Sequence, residues 1–435
     1  MKTAAAPVGE EHALAAPQPH DGTDELDARS APPGRQSDAL LCDAAAERIA
    51  RPKLAPADSF VLHAPLELLA RIALLPLVDP AARPQARAGI TALGVAYAAA
   101  GPELDEPAAR TFDSPQRALA DLLRAVDAGE LGDADAIAAW LAGALSARAL
   151  AAALADDVIP RLGAAAHGSL FLYNLSRIAP RSAAVARTLR GLVRELAREH
   201  AWRLGWQRQR SASVRPSGDL VQRLLRPRSP GDPGSNFIYP TMHLVERSGL
   251  AAELLDAPTR ALDAATASRL LARVAAWSML QDAPEHAPYG WSHCLSMPQA
   301  VLGIADLCAD PAAAIAVAAT YVLGFRATLA KVALDPEWQP ARPAPASGRD
   351  PLALLDGSPD EAAAGVWYAP PALLPALVTR LATRAALHHD AHLVKYTLAC
   401  LDAAHADPAA ARLFLAAAAF LSAWWRAYDR AASRA

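Results

Sequence analysis

Segments rich in alanine and leucine run through most of this chain, and their apolar residues recur at helical spacing. In FVLHAPLELLARIALLPLV the leucines form one broad apolar stripe, and Asp58 or Ser59 is the expected N-cap. Aromatic residues make up only 6% of the chain and β-branched runs are few, which favours packed helices over sheets. The sequence therefore predicts an all-α protein, a large multi-helix bundle with little or no strand.

The domain organisation is less constrained by the sequence. With 435 residues, the chain fits one large domain or two tightly packed helical lobes. Residues 1–50 mix Ala, Pro, Gly and charged residues without a sustained period, which predicts a disordered or loosely attached leader before a helical domain over 51–435. The Ser-, Pro- and Gly-rich stretch 208–236 is the expected boundary if there are two lobes.

Charge and hydropathy exclude several classes of partner. Lys and Arg total 42 against 45 Asp and Glu, so a net charge of -3 offers no field that attracts nucleic acid or an anionic membrane. The N-terminus lacks the apolar core of a secretory signal, and the longest apolar run near the C-terminus, 413–423, is about half the length of a bilayer span. Because the four cysteines form no CxxC pair, we expect them to be buried thiols. We expect a cytoplasmic protein, and the sequence does not determine its oligomeric state.

Histidines are the most informative residues for function. Several of the twelve lie in apolar helical segments, where an imidazole without a partner costs free energy. One of these segments is AAAHGSLFLYNLSRIA, which we predict to be helical throughout. Each histidine alone is more often a core residue than a ligand, but facing helices can bring several together around a metal ion. The five histidines to compare are His63, His167, His243, His293 and His392.

Lys395 follows His392 by three residues, so both side chains project from one face of a helix that is apolar on more than one side. An ammonium group beside a metal ion is repelled. The lysine must therefore be paired with Asp390 or another acid, be chemically modified, or extend to the surface.

Glu67 lies one turn after His63 and has two interpretations. It can accept a hydrogen bond from an imidazole and so orient a ligand, or it can form a salt bridge with Arg71. Pro65 is best tolerated in a first helical turn, which places His63 at the entrance of its helix.

Four segments resemble the questin oxidase-like family, in order and at broadly similar intervals over residues 55 to 425. They are FVLHAPLELLARIALLP, AAAHGSLFLYNLSR, GWSHCLSMPQAVL and HDAHLVKYTLAC. The resemblance implies an all-α oxidoreductase with a histidine-rich non-haem iron centre, which uses O₂ for oxidative ring cleavage of an aromatic or polycyclic, polyketide-like substrate. In this family a lysine is thought to be carboxylated and to coordinate the metal.

Carried over to this chain, the resemblance implies an Fe(II) site in which Lys395 is the carboxylated ligand. From its spacing to His63, we expect Glu67 to assist catalysis together with Lys395. The remaining implied ligands are His63, His167, His293 and His392. His389 is an alternative if the interval from His392 to Lys395 is too short, and the role of His243 stays open. Manganese or zinc are alternatives to iron, since imidazoles bind several divalent ions.

Two other functions remain open at this point. One is a Baeyer–Villiger-type oxygenase that uses NADPH without structural iron, although the sequence contains no GxGxxG dinucleotide loop. The other is a non-catalytic helical protein that binds small molecules, in which the histidines are core residues. The common Walker, GxSxG and HExxH motifs are also missing from the sequence.

Overall fold

The described residues are mainly helical, which confirms the predicted all-α fold class. Apart from two isolated β-bridges, this part of the chain contains no strand. A computed structural model of the protein describes residues 33–205, 220–226, 228–234, 237–255, 263–343 and 350–434.

Helices of the first half of the chain include the first two predicted ligand segments, those of His63 and His167. They are α1 Pro33–Ile49, α2 Ser59–Leu74, α3 Arg83–Ala99, α4 Pro115–Ala128, α5 Leu131–Ala144, α6 Ala147–Val158, α7 Gly168–Ile178, α8 Ala183–Arg187 and α9 Leu189–Arg198.

Helices of the second half carry the other two segments. They are α10 Leu220–Leu225, α11 Ile238–Arg247, α12 Leu250–Leu255, α13 Ala264–Gln281, α14 Ser292–Gly303, α15 Pro311–Leu329, α16 Pro351–Leu354, α17 Pro359–Trp367, α18 Leu374–Leu387, α19 Ala391–Ala406 and α20 Ala411–Ala432.

One hydrophobic core joins the two halves. Its buried side chains extend from Cys42 to Trp425, and helices from opposite sides of the stretch 208–236 pack directly on one another, α2 on α19 and α7 on α14. Part of that predicted boundary, residues 208–219, 227, 235 and 236, lies outside the described residues. The described part includes α10, which packs against α13 and α15.

The expected leader was wrong for residues 33–50. These residues form α1 and its end, and α1 packs against α3 and α8. Its buried residues have the i, i+3, i+4, i+7 spacing of a helix face, a signal that the surrounding polar residues concealed. They are Cys42, Ala45, Ala46 and Ile49. Residues 1–32 of the predicted leader lie outside the described residues.

Helix α2 begins as its sequence predicts. The Asp58 carboxylate accepts a hydrogen bond from the Val61 N–H at 2.8 Å, which caps the first turn. The expected place of Pro65 was wrong, because this proline lies inside the helix, in its second turn. His63 is therefore one full turn into α2, and the helix tolerates the lost backbone hydrogen bond because its other face is packed in the core.

In the part of the chain that the structure describes, three single helical segments are long and apolar enough to cross a membrane, judged by length and composition alone. They are Ser59–Leu77, Pro311–Leu329 and Pro408–Ala432. Within the fold, the share of buried residues in their apolar windows is 56%, 83% and 72% respectively. These helices thus form much of the core, while a cytoplasmic location away from membranes stays a prediction.

A buried ion pair connects α15 to the end of α13. Arg326 donates to the Asp282 carboxylate at 2.8 Å, and the side chains of both residues are 0% exposed. The same guanidinium donates to the backbone carbonyl oxygens of Leu224, Leu225 and Val332. One arginine therefore holds the end of α10 and the chain after α15 against the core.

We expect Arg326→Met to lower the free energy of unfolding by about 3 to 5 kcal/mol, because it leaves the Asp282 carboxylate buried without its cation. Chemical denaturation measures this change. The control is Arg110→Met, which breaks an exposed pair with Asp133 and is expected to cost under about 1 kcal/mol. Equal losses in the two variants would contradict the special role of Arg326.

Candidate metal centre

Four buried histidines from four separate elements form one cluster. His63 comes from α2, His167 directly precedes α7, His293 lies in α14 and His392 lies in α19. Neighbouring ring centroids are 4.5 Å apart for His63 and His392, 4.7 Å for His63 and His167, 5.0 Å for His293 and His392, and 5.2 Å for His167 and His293. The structure thus brings together all four histidines that the sequence singled out as ligands.

Nitrogen atoms of the cluster face one another. The Nε2 atoms of His63 and His167 are 3.1 Å apart, close to the separation of about 2.9 Å between two imidazole nitrogens at right angles on one ion. The potential ligand atoms of His63, His293 and His392 all lie within 4.8 Å of one another. His293 Nε2 is buried and has no hydrogen-bond partner among the described residues. His167 is not in this group of three, and its Nε2 atom is hydrogen-bonded to that of His63. The arrangement of His63, His293 and His392 fits a shared metal ion, with His167 next to it.

Three of the rings are oriented by acceptors at Nδ1. With the proton held at Nδ1, the lone pair of each ring is on Nε2, which is the tautomer that binds a metal through Nε2. The acceptors are the carbonyl oxygen of Ala165 for His167 at 2.8 Å, the carbonyl oxygen of Tyr289 for His293, and the carboxylate of Asp390 for His392 at 3.1 Å.

Burial also keeps the imidazoles neutral. It is the main cause that lowers the pKa of all four rings, and nearby Lys395 lowers these pKa values further. The pKa of His392 falls to about 4, although Asp390 opposes the shift. Neutral imidazole is the form that binds metal ions, so the cluster is ready for ligation at neutral pH.

Lys395 reaches neither the surface nor an acid. Only 5% of the residue is exposed, and its Nζ atom has no hydrogen-bond partner within the described parts of the chain. The expected ion pair with Asp390 is not formed, because that carboxylate bonds to His392 instead. Burial lowers the pKa of the Lys395 amine to about 7, while Asp390 and Glu67 favour the charged form. A buried amine without partners is costly, which favours a modified or ligated state.

Of the two expectations for Glu67, the salt bridge is the one that forms. Arg71 donates to the Glu67 carboxylate with Nε at 2.8 Å, and both side chains are buried. Burial raises the pKa of Glu67, and Arg71 opposes that shift. Arg71 also donates to the carbonyl oxygens of Ala386 and His388, in the chain that leads into α19. The pair therefore sets α2 relative to the helix that carries His392 and Lys395.

The backbone before His167 is left-handed. Ala164, Ala165 and Ala166 have φ values of 54°, 49° and 59°, a conformation that L-residues rarely adopt. The Glu199 carboxylate fixes this turn by accepting the Ala164 N–H at 2.7 Å. The prediction that the whole segment is helical was therefore wrong, because α7 begins only at Gly168. Such strain is found at functional sites, and here it aims the Ala165 carbonyl oxygen at His167.

His293 follows a π-helical turn, Ala287–Trp291, that the sequence analysis missed. Turns of this kind occur frequently at functional sites. This one contains Tyr289, whose carbonyl oxygen accepts the Nδ1 proton of His293 and whose ring meets His392 edge-on at 4.8 Å. Neither Glu199 nor Tyr289 carried a sequence signal, since both act through contacts distant in the sequence or through the backbone.

The two alternative histidines lie elsewhere. His243 is in α11, where its ring stacks on Tyr239 at 5.3 Å. His389 stacks on His388 at 4.3 Å and, with Asp429, forms a second, more exposed group whose ligand atoms are within 4.8 Å of one another. In this second group the His388 ring already bonds to Asp429 at 3.2 Å. Neither His243 nor His389 is thus part of the four-histidine cluster.

A cleft and an exposed aromatic ring lie next to the cluster. A cleft between α2, α9 and residues 49–57 reaches His167, and its free volume of about 40 Å³ holds roughly three waters. On another side, Tyr289 is 53% exposed and covers His392. The cleft admits dioxygen or water, whereas a polycyclic molecule is too large for it in this conformation.

We expect Ala165→Gly to preserve metal binding and to stabilise the protein by about 1 kcal/mol, because glycine adopts positive φ without the steric cost of a Cβ. Ala165→Val should lower both stability and metal content. The matched control is Ala120→Gly on the exposed face of α4, where a glycine costs about 1 kcal/mol. Denaturation curves that shift in the same direction for Ala165→Gly and Ala120→Gly would refute the strained turn.

No family model, no curated protein and no solved structure matches this chain. The resemblance to questin oxidase-like proteins therefore rests on the four histidine-containing segments alone. What the protein does has to be inferred from the cluster and the residues around it.

Proposed function

We propose that this protein is a metal-dependent oxygenase that holds a divalent ion, Fe(II), in the cluster of His63, His167, His293 and His392. The observation that supports it most strongly is the group of three buried, neutral imidazoles whose ligand atoms lie within 4.8 Å of one another. The ring of His167 and an unpartnered lysine amine lie beside this group. Core histidines without a ligand normally find hydrogen-bond partners at both nitrogens or point to solvent. His293 Nε2 does neither.

The donor set fits the proposed ion. Imidazole nitrogens bind Fe, Zn, Cu and Ni, and a hard oxygen ligand added to them suits Fe(II). Carboxylation of Lys395 supplies this oxygen: the neutral amine adds to carbon dioxide and loses a proton, so an N–C bond forms and a carbamate results. The change replaces a buried cation by an anion, which attracts the metal ion where an ammonium group repels it.

The residues around the ion have distinct roles in this proposal. When bound, the ion supplies a place where dioxygen is activated for oxidative ring cleavage. The carboxylate of Asp390 and the carbonyl oxygens of Ala165 and Tyr289 hold three rings in the ligating tautomer. The Glu67–Arg71 pair acts as a positioning device, and the apolar helices exclude bulk water. An aromatic substrate approaches from the Tyr289 side, since the cleft at His167 is too narrow for it.

We expect about one iron per chain after anaerobic loading with Fe(II), measured by plasma mass spectrometry on protein without an affinity tag. His293→Ala and His392→Ala should each lose most of this metal, because each removes one nitrogen from the cluster. His405→Ala is the control, since His405 is exposed on the same helix as His392. Full iron content in both cluster variants would refute the metal centre.

The oxygenase activity is tested with the same set of proteins. Planar quinones should cause dioxygen uptake by the iron-loaded protein and by His405→Ala, and none by His293→Ala. Iron binding without dioxygen uptake would indicate a metal site with a role other than oxygenation. Higher occupancy by zinc or manganese than by iron would indicate that one of these ions is the native metal. Protein that binds no metal would instead favour a small-molecule binding protein, and uptake that requires NADPH would favour the Baeyer–Villiger-type alternative.

We expect protein equilibrated with ¹³C-labelled bicarbonate to show a carbamate carbon resonance that Lys395→Met lacks. Lys331→Met, at an exposed lysine, should keep the resonance. Lys395→Met should also bind iron more weakly, and a short carboxylic acid such as acetate should restore part of the binding by replacing the lost oxygen ligand. A resonance that survives in Lys395→Met would show that the modified lysine is elsewhere.

A further inference from the structure

A row of aromatic rings leads from the histidine cluster to the surface. Tyr289 meets His392 at 4.8 Å and Trp425 at 6.2 Å, measured between ring centroids. Trp425 in turn meets Tyr428 at 5.5 Å and Trp424 at 5.2 Å, and these last two stack at 5.4 Å. All of these distances are within the range of aromatic rings in contact. The row therefore has no gap between the cluster and helix α20.

The two tyrosines of the row reach the surface, Tyr289 with 53% of its residue exposed, and Trp425 is buried between them. Trp425 is 3% exposed, and its Nε1 has no hydrogen-bond partner among the described residues. Tyr428 is 54% exposed and lies one turn further along α20. Other aromatic contacts in the described chain, such as the stack of Trp202 on Tyr239, include no histidine of the cluster. The row through Trp425 thus connects Tyr289, the ring in contact with His392, to the exposed ring of Tyr428 through a buried tryptophan.

Tyrosine and tryptophan are the side chains that are oxidised most readily by one electron, apart from cysteine. Electron transfer between such rings is fast when they are in contact, because its rate falls steeply with distance. We propose that Tyr289, Trp425 and Tyr428 form an electron relay that reduces the metal centre again when it has been oxidised without substrate. This inference rests on the proposed function for its purpose, while the relay itself depends only on the rings.

The steps balance with a peroxide as oxidant and a thiol as reductant. Tyr289 gives one electron to the oxidised centre and its phenol proton to solvent. An electron from Trp425 and a proton from water restore Tyr289, and the Trp425 radical cation keeps its Nε1 proton because no acceptor is near. Tyr428 then reduces Trp425 and releases its proton, and an external thiol returns one electron and one proton to Tyr428.

Two one-electron transfers through the relay complete the reaction. Hydrogen peroxide takes up two electrons and two protons to give two waters, and two thiols lose the same number to give a disulfide. The relay would therefore protect the histidine ligands from oxidation, since His392 is the ring in contact with Tyr289.

The relay is tested first on metal-free protein. Azide radicals made by pulse radiolysis oxidise tryptophan, and transfer to tyrosine is followed by the decay of the indolyl absorption and the growth of the phenoxyl absorption. We expect a first-order transfer that is independent of protein concentration. Trp425→Phe and Tyr428→Phe should each remove the same part of it, and the double variant should remove no more, because the two residues act in series.

Two variants serve as controls in this experiment. Tyr321→Phe should change nothing, since that hydroxyl is buried without a partner and its ring is not in the row. Tyr239→Phe should remove a different part of the transfer, which adds to that of Trp425→Phe, because Tyr239 stacks on Trp202. Unchanged transfer in Tyr428→Phe would overturn the relay whether or not the protein binds metal.

The second test uses the iron-loaded protein and hydrogen peroxide. Paramagnetic resonance should detect an organic radical that ring-deuterated tyrosine identifies as a tyrosyl radical and that Tyr428→Phe removes. Trp425→Phe should also abolish it while iron content stays the same. In that variant, peptide mass spectrometry should show more oxidation of His392. Normal iron content with no radical in the wild-type protein would contradict the electron relay, while the proposed metal site would still stand.

Discussion

Burial of polar groups without partners is the constraint on which the rest of this site depends. Four imidazoles and one amine occupy the middle of a helical core, where each unsatisfied nitrogen costs free energy. A chain selected for stability alone would place leucines there. Elsewhere in the same core, Arg326 satisfies its guanidinium with one carboxylate and three carbonyl oxygens. Lys395 differs from Arg326 in that its Nζ atom has no hydrogen-bond partner among the described residues.

The histidine rings of the cluster are held in place by hydrogen bonds that orient them, and not only by burial of apolar surface. The left-handed turn before His167 and the π-helical turn before His293 each direct a backbone carbonyl oxygen at an Nδ1 atom. Glu199 fixes the first turn, and Arg71 connects α2 to the entrance of α19. The left-handed turn and the π-helical turn cost free energy locally, and the continuous hydrophobic core offsets this cost.

Much of this could be predicted from the sequence, and the errors have physical reasons. Helical periodicity and few β-branched runs indicated the all-α fold, and the same pattern placed four histidines in four separate apolar segments. The loose leader was wrong for α1 because alanine is a weak hydrophobic signal, although it packs closely in a helix interface. The prediction that the helix begins with the alanines before His167 was wrong. Alanine favours helices, but these alanines form a left-handed turn that contacts Glu199, and α7 begins at Gly168.

The sequence by itself determined the local helices, the N-cap at Asp58 and the residue types that can bind a metal ion, because these depend on neighbours within about one or two turns. Tertiary structure alone decided which histidines meet, which tautomer each ring adopts, and that Glu67 pairs with Arg71. It also decided that Lys395 finds no acid, since Asp390 turns to His392 instead. These outcomes depend on distances between segments that lie tens to hundreds of residues apart, and periodicity within one segment carries no information about them.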